Sequence, residues 1–162
     1  MKVLSQLTSP ASILKVWGVL KAVPGAGKVM GRLVGRMAPY TGTIKPEVER
    51  LEVGYARVSM RDRRGLRNHL RSVHAIALMN LGEATTGVAM MVSLPADTRG
   101  IPIRLTMDYA KKARGTITCE CSCPVLTSND KKEVEVIGLL RDKSGDVVAK
   151  CTALWMIGPG RV

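Results

Sequence analysis

The chain has 162 residues, which suffices for one domain with a real hydrophobic core and is too short for two full domains. Hydrophobic residues make up 46% of it and charged residues 23%, a composition that excludes an intrinsically disordered chain. The net charge of +12 favours anionic partners, but aromatic residues make up only 3%, too few for the stacking surfaces that hold single-stranded nucleic acid, so we expect no nucleic-acid partner.

Two helices are predicted near the N-terminus. Residues 9–22 suit a helix because Ser9 can cap it, Pro10 fits its first turn and apolar residues follow at helical spacing. A second, short helix is predicted beyond Pro24, where GKVMGRLVG repeats Gly at every fourth residue. The Lys and Arg between these glycines exclude a membrane span. The first ten residues show no export signal.

These helices are expected to form an extension, residues 1–40, that packs on the main domain, residues 41–162. Residues 1–75 contain 14 Lys and Arg against 4 Asp and Glu, so most of the net charge lies in this half. Two roles remain open for the basic helices: they cover part of the domain, or they make a weak contact with an anionic membrane surface.

The middle of the chain predicts one strand and one long helix. Residues 48–60 alternate in polarity and predict a strand. After the arginine-rich loop RDRRGLRNHLR, residues 73–94 predict a helix about 30 Å long at 1.5 Å per residue. Thirteen of the 21 residues from His74 to Leu94 are Ala, Val, Ile, Leu or Met. The polar residues among them, including Glu83, favour a helix surrounded by protein over a membrane span.

Four more strands are predicted to follow as a meander. They lie at residues 103–110, 116–123, 133–140 and 147–157, where apolar and polar side chains alternate. The sequence KSGD between the last two suits a hairpin turn. The fold class is therefore α+β, with one long helix against an antiparallel sheet of about five strands.

The cysteines indicate a strand face rather than a metal site. Cys119, Cys121 and Cys123 alternate, which puts all three on one face of a strand, and Cys151 stands apart. Because zinc-ligand spacing and a disulfide framework are both absent from the sequence, we expect reduced thiols and no metal site. This usage is typical of a reducing cytoplasm.

The order of elements and the stretch NHLRSVHAIALMNLGEATTG resemble the hotdog-fold acyl-CoA thioesterases, in particular their phenylacetyl-CoA thioesterase-like branch. In that branch an Asn precedes a His by six residues, and an Asp or Glu follows the His by nine. Asn68, His74 and Glu83 reproduce both intervals. YAKKARG, residues 109–115, resembles the strand and turn that follow in the family. The similarity spans about residues 41–157 and implies the hotdog fold, an antiparallel sheet wrapped around one long central helix.

The resemblance implies an acyl-CoA thioesterase with its active site at a subunit interface. In the family, the Asn, the His and the helix N-terminus come from one subunit and the carboxylate comes from the next. A homodimer or a homotetramer is therefore implied. Coenzyme A would enter as part of the substrate, and the resemblance implies no separate cofactor.

The residue types suit this chemistry in their own right. Glu83 lies in apolar sequence without a neighbouring cation, which should raise its pKa, as a general base or a nucleophile toward the acyl carbon requires. The backbone N–H groups of Ala75 and Ile76, at the helix start, could stabilise the negative charge that develops on the thioester oxygen. Asn68 would orient the water or the carboxylate, and His74 would support the turn by hydrogen bonding.

Two departures from the family keep a second function open. The family has a Gly pair where this chain has Ala75-Ile76, and the hydroxyl residue of several members would fall near Ile101 or Pro102, neither of which has one. The alternative is a protein that binds acyl-CoA or fatty acyl groups without hydrolysing them.

Two local interpretations also remain open. Glu83 could be structural, bonded to Thr86 or Asn80 across a helical turn. Three cations at a strand end could bind the phosphates of coenzyme A as charge-assisted pairs, or could form an ordinary solvated turn. These cations are Lys111, Lys112 and Arg114.

Overall fold

The computed structural model describes residues 9–160, which contain four α-helices and six strands. The helices are α1 (Pro10–Leu20), α2 (Ala26–Met37), the one-turn α3 (Pro39–Gly42) and α4 (Ala75–Met91). The strands are β1 (Glu47–Glu52), β2 (Tyr55–Met60), β3 (Thr98–Tyr109), β4 (Ile117–Ser122), β5 (Lys132–Arg141) and β6 (Val147–Pro159). The prediction that no export signal is present concerns mainly residues 1–8, which lie outside the described residues.

The strands form one antiparallel sheet in the order β1-β2-β4-β5-β6-β3. The α+β prediction is confirmed, with six strands where about five were expected. The additional strand arises because residues 48–60 are a hairpin and not the single predicted strand. Gly54, with φ of +81°, turns the chain so that Glu52 lies opposite Tyr55. In the sequence, apolar residues recur at every second position through Leu51, Val53 and Tyr55, which hid the turn. In the structure the buried face passes from Leu51 to its partner Ala56, and Val53 is exposed.

The last four strands exist as predicted, but only three of them form a meander. β4, β5 and β6 are consecutive neighbours, whereas β3 pairs with β6, with Thr106 opposite Thr152. The predicted meander of four strands is therefore wrong for β3. The hydrophobic period of a strand identifies its buried face and carries no information about which strand lies beside it.

Helix α4 lies across the sheet and confirms the long helix predicted at residues 73–94, with shorter bounds. It is buried on most sides, and Leu81, Thr85 and Thr86 are fully buried. Gly82 permits the close approach of the sheet, because a Cβ there would lie 2.6 Å from the Cβ of Cys151. No helix among residues 9–160 is long and apolar enough to cross a membrane.

The strand-face prediction is confirmed for two of the three alternating cysteines, because Cys123 follows the end of β4 at Ser122 and is partly buried. Cys119 and Cys121 are buried on the same face of β4, and Cys151 on β6 is buried as well. All four cysteines are free thiols. Burial raises the pKa of Cys121 to about 12 and that of Cys151 to about 11, so both thiols stay protonated at neutral pH.

The two predicted N-terminal helices are confirmed. Helix α1 begins at Pro10, where the Ser9 hydroxyl accepts a hydrogen bond from Ser12 N–H. Helix α2 packs against β1 and the segment before it, and its glycines make the approach possible. A Cβ at Gly31 would lie 1.7 Å from the carbonyl oxygen of Pro46. The division of the chain into an extension and a main domain at residue 40 stays a prediction.

Candidate active site

The start of α4 has one backbone donor without a partner. His74 is the N-cap residue, and its Nδ1 accepts a hydrogen bond of 3.1 Å from Ile76 N–H. Ala75 N–H makes no hydrogen bond within residues 9–160, and it points out of the helix with the other first-turn amides. Of the two donors expected from the sequence, Ala75 is therefore available for a ligand and Ile76 is engaged. Tyr109, at the end of β3, donates from its hydroxyl to the Ala75 carbonyl oxygen at 3.1 Å.

Asn68 organises the loop that leads into this helix. Its Oδ1 accepts hydrogen bonds from Leu70 N–H at 3.0 Å, from Ser72 N–H at 3.3 Å and from the Ser72 hydroxyl at 3.1 Å. The loop is joined to the helix start by a 2.7 Å hydrogen bond from His74 N–H to the Leu66 carbonyl oxygen. The side-chain nitrogen of Asn68 has no partner in the described part of the chain, so it remains a donor for a ligand or a water.

Glu83 lies more than two turns further along α4 and is partly buried. Burial raises the pKa of its carboxyl group, and desolvation is the cause. Its carboxylate has neither an ion pair nor a hydrogen bond within residues 9–160. The structural alternative gains no support: the Thr86 hydroxyl donates to the backbone carbonyl of Glu83, and the Asn80 amide donates to the Tyr40 carbonyl.

The Glu83 carboxylate faces β6, next to the edge strand β3. The negative charge of Glu83 contributes, after burial, to the raised pKa of the Cys151 thiol on β6. A Cβ at Gly87 would lie 3.8 Å from Glu83 Oε1 and 3.4 Å from the indole ring of Trp155. The carboxylate therefore lies beside the following turn of α4, on the side of the sheet that is formed by β6 and β3.

Glu83 and Ala75 are too far apart in one protomer to act on the same atom. They are eight residues apart on one helix, which places their backbones about 12 Å apart at 1.5 Å per residue. The Glu83 side chain lies beside Gly87, which is away from Ala75. The structure thus brings Asn68, His74 and Ala75 together at one junction of loop and helix, and it leaves Glu83 apart from them.

Strand β3 is a long edge with apolar side chains in solvent. It has 12 residues, and β6 is its only neighbour within the described part of the chain. Ile101 and Ile103 are 59% and 46% exposed. An unpaired edge of this length and polarity is a template for strand pairing with another chain.

The three cations expected at a strand end differ in their surroundings. Lys111 Nζ lies 2.8 Å from Asp142 and 2.6 Å from Asp146, so two carboxylates neutralise it. Lys112 and Arg114 are exposed and form no ion pair within residues 9–160. Their turn adjoins the loop before α4, because Val73 N–H donates to the Ala113 carbonyl at 2.9 Å.

A cavity of about 560 Å³ at the start of α4 was missed by sequence reasoning. His74, Ile76 and Asn80 line it from the helix, and Arg63 and Arg67 line it from the arginine-rich loop. Asn80 is 6% exposed, and its side-chain oxygen has no partner in the described chain. The only sequence signal for this role was an amide in an apolar helix, which a buried structural residue would give as well.

Residues 9–160 contain no group of three or more His, Cys, Asp or Glu side chains that could hold a metal ion. The groups that α4 and the loop before it offer are a partly buried carboxylate, a free backbone donor and an amide. An arrangement of this kind can activate a water and stabilise an oxyanion when two copies supply its parts.

Comparison with known proteins identifies the family and the fold. A family model described as "Domain of unknown function (DUF4442)" matches residues 27–157. No curated protein matches the chain.

Solved structures match over most of the chain. The crystal structure of the genomics protein APC5556 has a TM-score of 0.77 at 26% identity and covers 90% of this chain and 97% of its own. PA5026 from Pseudomonas aeruginosa, described as a protein of unknown function and probable thioesterase, has a TM-score of 0.70 at 26% identity and covers 79% and 92%.

A mutant of the phenylacetic acid degradation protein PaaI from Thermus thermophilus has a TM-score of 0.62 at 17% identity, covering 73% of this chain and 97% of that one, a likeness that shows the fold. These neighbours confirm the hotdog fold and the resemblance to the hotdog thioesterases stated from the sequence.

Proposed function

The chain belongs to the DUF4442 family, and we propose that it is an acyl-CoA thioesterase whose active site forms between two copies of the chain. The observation that carries this proposal is the partly buried Glu83 carboxylate, which has a raised pKa and no cation beside it within residues 9–160. A carboxylate in such surroundings is a stronger base than an exposed one. Ala75 N–H supplies the complementary donor.

A homodimer joined along β3 is part of the proposal. One protomer leaves the backbones of Ala75 and Glu83 about 12 Å apart along α4, and the Glu83 side chain lies beside Gly87, away from Ala75, so a single carbonyl group cannot reach both. The exposed apolar edge of β3 supports pairing with a second copy about a two-fold axis. In such a dimer Glu83 of one protomer faces the α4 start of its partner. A pair of these dimers would form a homotetramer.

In the reaction, a water attacks the thioester carbonyl carbon while Glu83 accepts one of its protons. Negative charge develops on the carbonyl oxygen, where Ala75 N–H and the positive end of the α4 dipole stabilise it. The carbon–sulfur bond then breaks, and the proton held by Glu83 passes to the departing thiolate of coenzyme A. Asn68 donates from its side-chain nitrogen to orient the water or the carboxylate, and His74 caps the helix so that Ala75 stays free.

A second route uses the same residues with Glu83 as the nucleophile. Its carboxylate would attack the acyl carbon and form a mixed anhydride, which water would then cleave. In single-turnover hydrolysis in ¹⁸O-labelled water, label in the Glu83 carboxylate is positive evidence for the anhydride route. General-base catalysis leaves the Glu83 carboxylate unlabelled, whereas attack of water on the Glu83 carbonyl of the anhydride introduces label into it.

A protein that binds acyl-CoA or fatty acyl groups without hydrolysis is the second candidate. It is favoured by Ile76, which is 51% exposed at the helix start, where the hotdog thioesterases that this sequence resembles have a glycine. A bulky side chain at this position narrows the approach of a thioester to the donor.

Hydrolysis of a panel of acyl-CoA thioesters tests the proposal. The wild type should hydrolyse at least one chain length, and Glu83→Gln should lower kcat by about 10²–10⁴-fold, the usual contribution of a general base. Glu135→Gln is the matched control, because Glu135 is exposed on β5 and has no ion pair in the described residues. Turnover of no thioester by the wild type would refute the enzymatic proposal, and calorimetric binding without turnover would favour the second candidate.

We also propose that the protein works in the cytoplasm. Support comes from its four free thiols, three of which are buried, because such thiols are typical of proteins in a reducing compartment.

A further inference from the structure

A basic groove runs along α2. It has a volume of about 560 Å³ and lies between this helix and the segment that leads into β1. Six cations line it: Lys28, Arg32, Arg36, Lys45, Arg61 and Arg63. Glu47 is the one carboxylate among the described residues that line it. We call this the α2 groove.

The glycines of α2 let the helix lie directly against the segment that forms the other wall of the groove. Gly31 contacts the backbone at Pro46, and a Cβ at Gly35 would lie 2.8 Å from the Cα of Gly42. Side chains on this face would hold the helix away, so the close contact depends on glycine. Lys28, Arg32 and Arg36 recur at every fourth residue and therefore form one row about 12 Å long on the same helix.

Most of these charges have no internal partner. Glu47 pairs with Arg61 at 3.1 Å, and Arg63 donates to the Thr43 carbonyl. The other four cations form no ion pair within residues 9–160. Like charges at every fourth position of a helix repel each other, and a concave wall concentrates their field on an anion inside. The arrangement weakens the fold unless an anion occupies it.

The backbone of Lys45 gives further support. Its φ of +51° lies in the left-handed region, which residues other than glycine seldom adopt. Strained backbone of this kind is concentrated at ligand sites. Lys45 lines the α2 groove opposite the helix.

The α2 groove continues into the cavity at the start of α4. Ile44 and Arg63 line both. In the second cavity, Asn80 presents a buried side-chain oxygen and Arg63 a buried Nε–H, and neither has a hydrogen-bond partner in the described chain. One acceptor and one donor of this kind match an amide group, which has both an N–H and a carbonyl oxygen.

We propose that the α2 groove binds the phosphate groups of the coenzyme A part of the substrate. The amide-containing chain between phosphates and thiol then passes Arg63 and Asn80 and delivers the thioester to Ala75 N–H. This inference rests on the proposed function for the identity of its ligand. It differs from the site expected at the β3–β4 turn, where Lys111 is already neutralised by Asp142 and Asp146.

The test compares two substrates with the same acyl group: the coenzyme A thioester and the pantetheine thioester, which lacks the phosphates and the nucleotide. The variant is Lys28→Gln/Arg32→Gln/Arg36→Gln. Its matched control is Lys131→Gln/Lys132→Gln/Lys143→Gln, which removes three exposed cations that lie outside the groove. All the side chains exchanged in the two variants are exposed, and a thermal melt verifies that both variants fold.

For the coenzyme A thioester, the groove variant should raise KM by about tenfold or more with kcat unchanged, because charge-assisted contacts to phosphate are lost. For the pantetheine thioester, its kcat/KM should equal that of the wild type, and the control should match the wild type on both substrates. An equal effect on both substrates, or no effect on KM for the coenzyme A thioester, would overturn the inference. If Lys112→Gln/Arg114→Gln raises this KM and the groove variant does not, the phosphates bind at the β3–β4 turn and the inference is overturned as well.

Calorimetry with coenzyme A separates this inference from the proposed function. Suppose that no thioester is hydrolysed, but coenzyme A binds the wild type and binds the groove variant at least tenfold more weakly. The assignment of the α2 groove to coenzyme A is then confirmed, and the thioesterase proposal is refuted. If the wild type and the groove variant hydrolyse the coenzyme A thioester with the same KM, the thioesterase proposal is confirmed and the assignment of the α2 groove to coenzyme A is refuted. Sedimentation with anionic vesicles tests whether the groove binds a lipid surface instead. If the groove variant loses vesicle binding while its affinity for coenzyme A is unchanged, the groove binds lipid and the inference is overturned.

Discussion

Mixing two inactive variants offers a direct test of a site shared between protomers. Ala75→Pro removes the one N–H that the proposed oxyanion donor needs, and it changes little else. Proline is favoured at the first position of a helix, and the preceding His74 has φ of −64° and ψ of +140°, the extended conformation that proline requires before it. Since Ala75 N–H makes no hydrogen bond in the described residues, no internal bond is lost.

The magnitudes follow from the separation of the two groups. Loss of one oxyanion donor should lower kcat by about 10²–10³-fold. Because the backbones of Ala75 and Glu83 lie about 12 Å apart on one helix, each site of the proposed dimer combines Ala75 of one protomer with Glu83 of the other. A mixed dimer of Ala75→Pro and Glu83→Gln therefore has one intact site and one doubly impaired site. Random mixing in equal amounts makes half of the dimers mixed and should restore about one quarter of the wild-type activity.

The assay is hydrolysis of an acyl-CoA after the two variants are co-expressed or refolded together. A mixture of Ala75→Pro with the double variant Ala75→Pro/Glu83→Gln is the matched control, because it contains no intact site in any combination. Ala75→Gly, which keeps the N–H, should retain activity. If mixing gives no more activity than the separate variants, the site lies within one chain and the shared-site reasoning is refuted.

Further outcomes are expected for pH dependence, assembly and packing. Burial raises the pKa of Glu83, and only its ionised form accepts a proton, so kcat/KM should fall as pH decreases through a pKa above the usual 4.5. A pH profile without this decrease would contradict the assignment of Glu83 as the general base. The same burial disfavours the ionised form in the folded state, so Glu83→Gln should raise Tm at pH 7 and leave it unchanged at pH values below the unfolded pKa; an equal shift at both would indicate another cause. Ile103→Lys should convert dimers to monomers in sedimentation experiments, whereas Ile137→Lys, at a similarly exposed position of β5, should not; dimers in both would exclude β3 as the interface. Gly82→Ala should lower the free energy of unfolding by about 1–3 kcal/mol in urea titrations, because its Cβ would meet Cys151, and an unchanged midpoint would show that the sheet yields there.

Local patterns in the sequence predicted most of the helices and strands and the isolated acid in the central helix. The Ser9 cap, the long helix and the cysteine face of β4 were predicted correctly, because each depends on residues within a few positions of one another. The absence of a cation near Glu83 was predicted for the same reason, because the sequence has no Lys or Arg between Arg71 and Arg99. Its raised pKa agrees with that interpretation.

Other properties depend on contacts between distant parts of the chain. Lys111 appeared free in the sequence, but folding brings Asp146, 35 residues away, to 2.6 Å from its ammonium group. The pairing of β3 with β6 was missed, because alternation shows only the face of a strand and not its neighbour. The turn at Gly54 was missed because apolar residues recur at every second position through Leu51, Val53 and Tyr55, although the structure buries Leu51 and then Ala56.

The sequence by itself therefore determined the α+β class, the central helix and an acid without a neighbouring cation, since these follow from short-range order. Only the tertiary structure decided which donors stay free, which cations remain without carboxylate partners and where the α2 groove meets the start of α4. The reason is physical: hydrogen bonds and ion pairs form between atoms a few ångströms apart, and folding brings residues that are far apart in sequence to that distance.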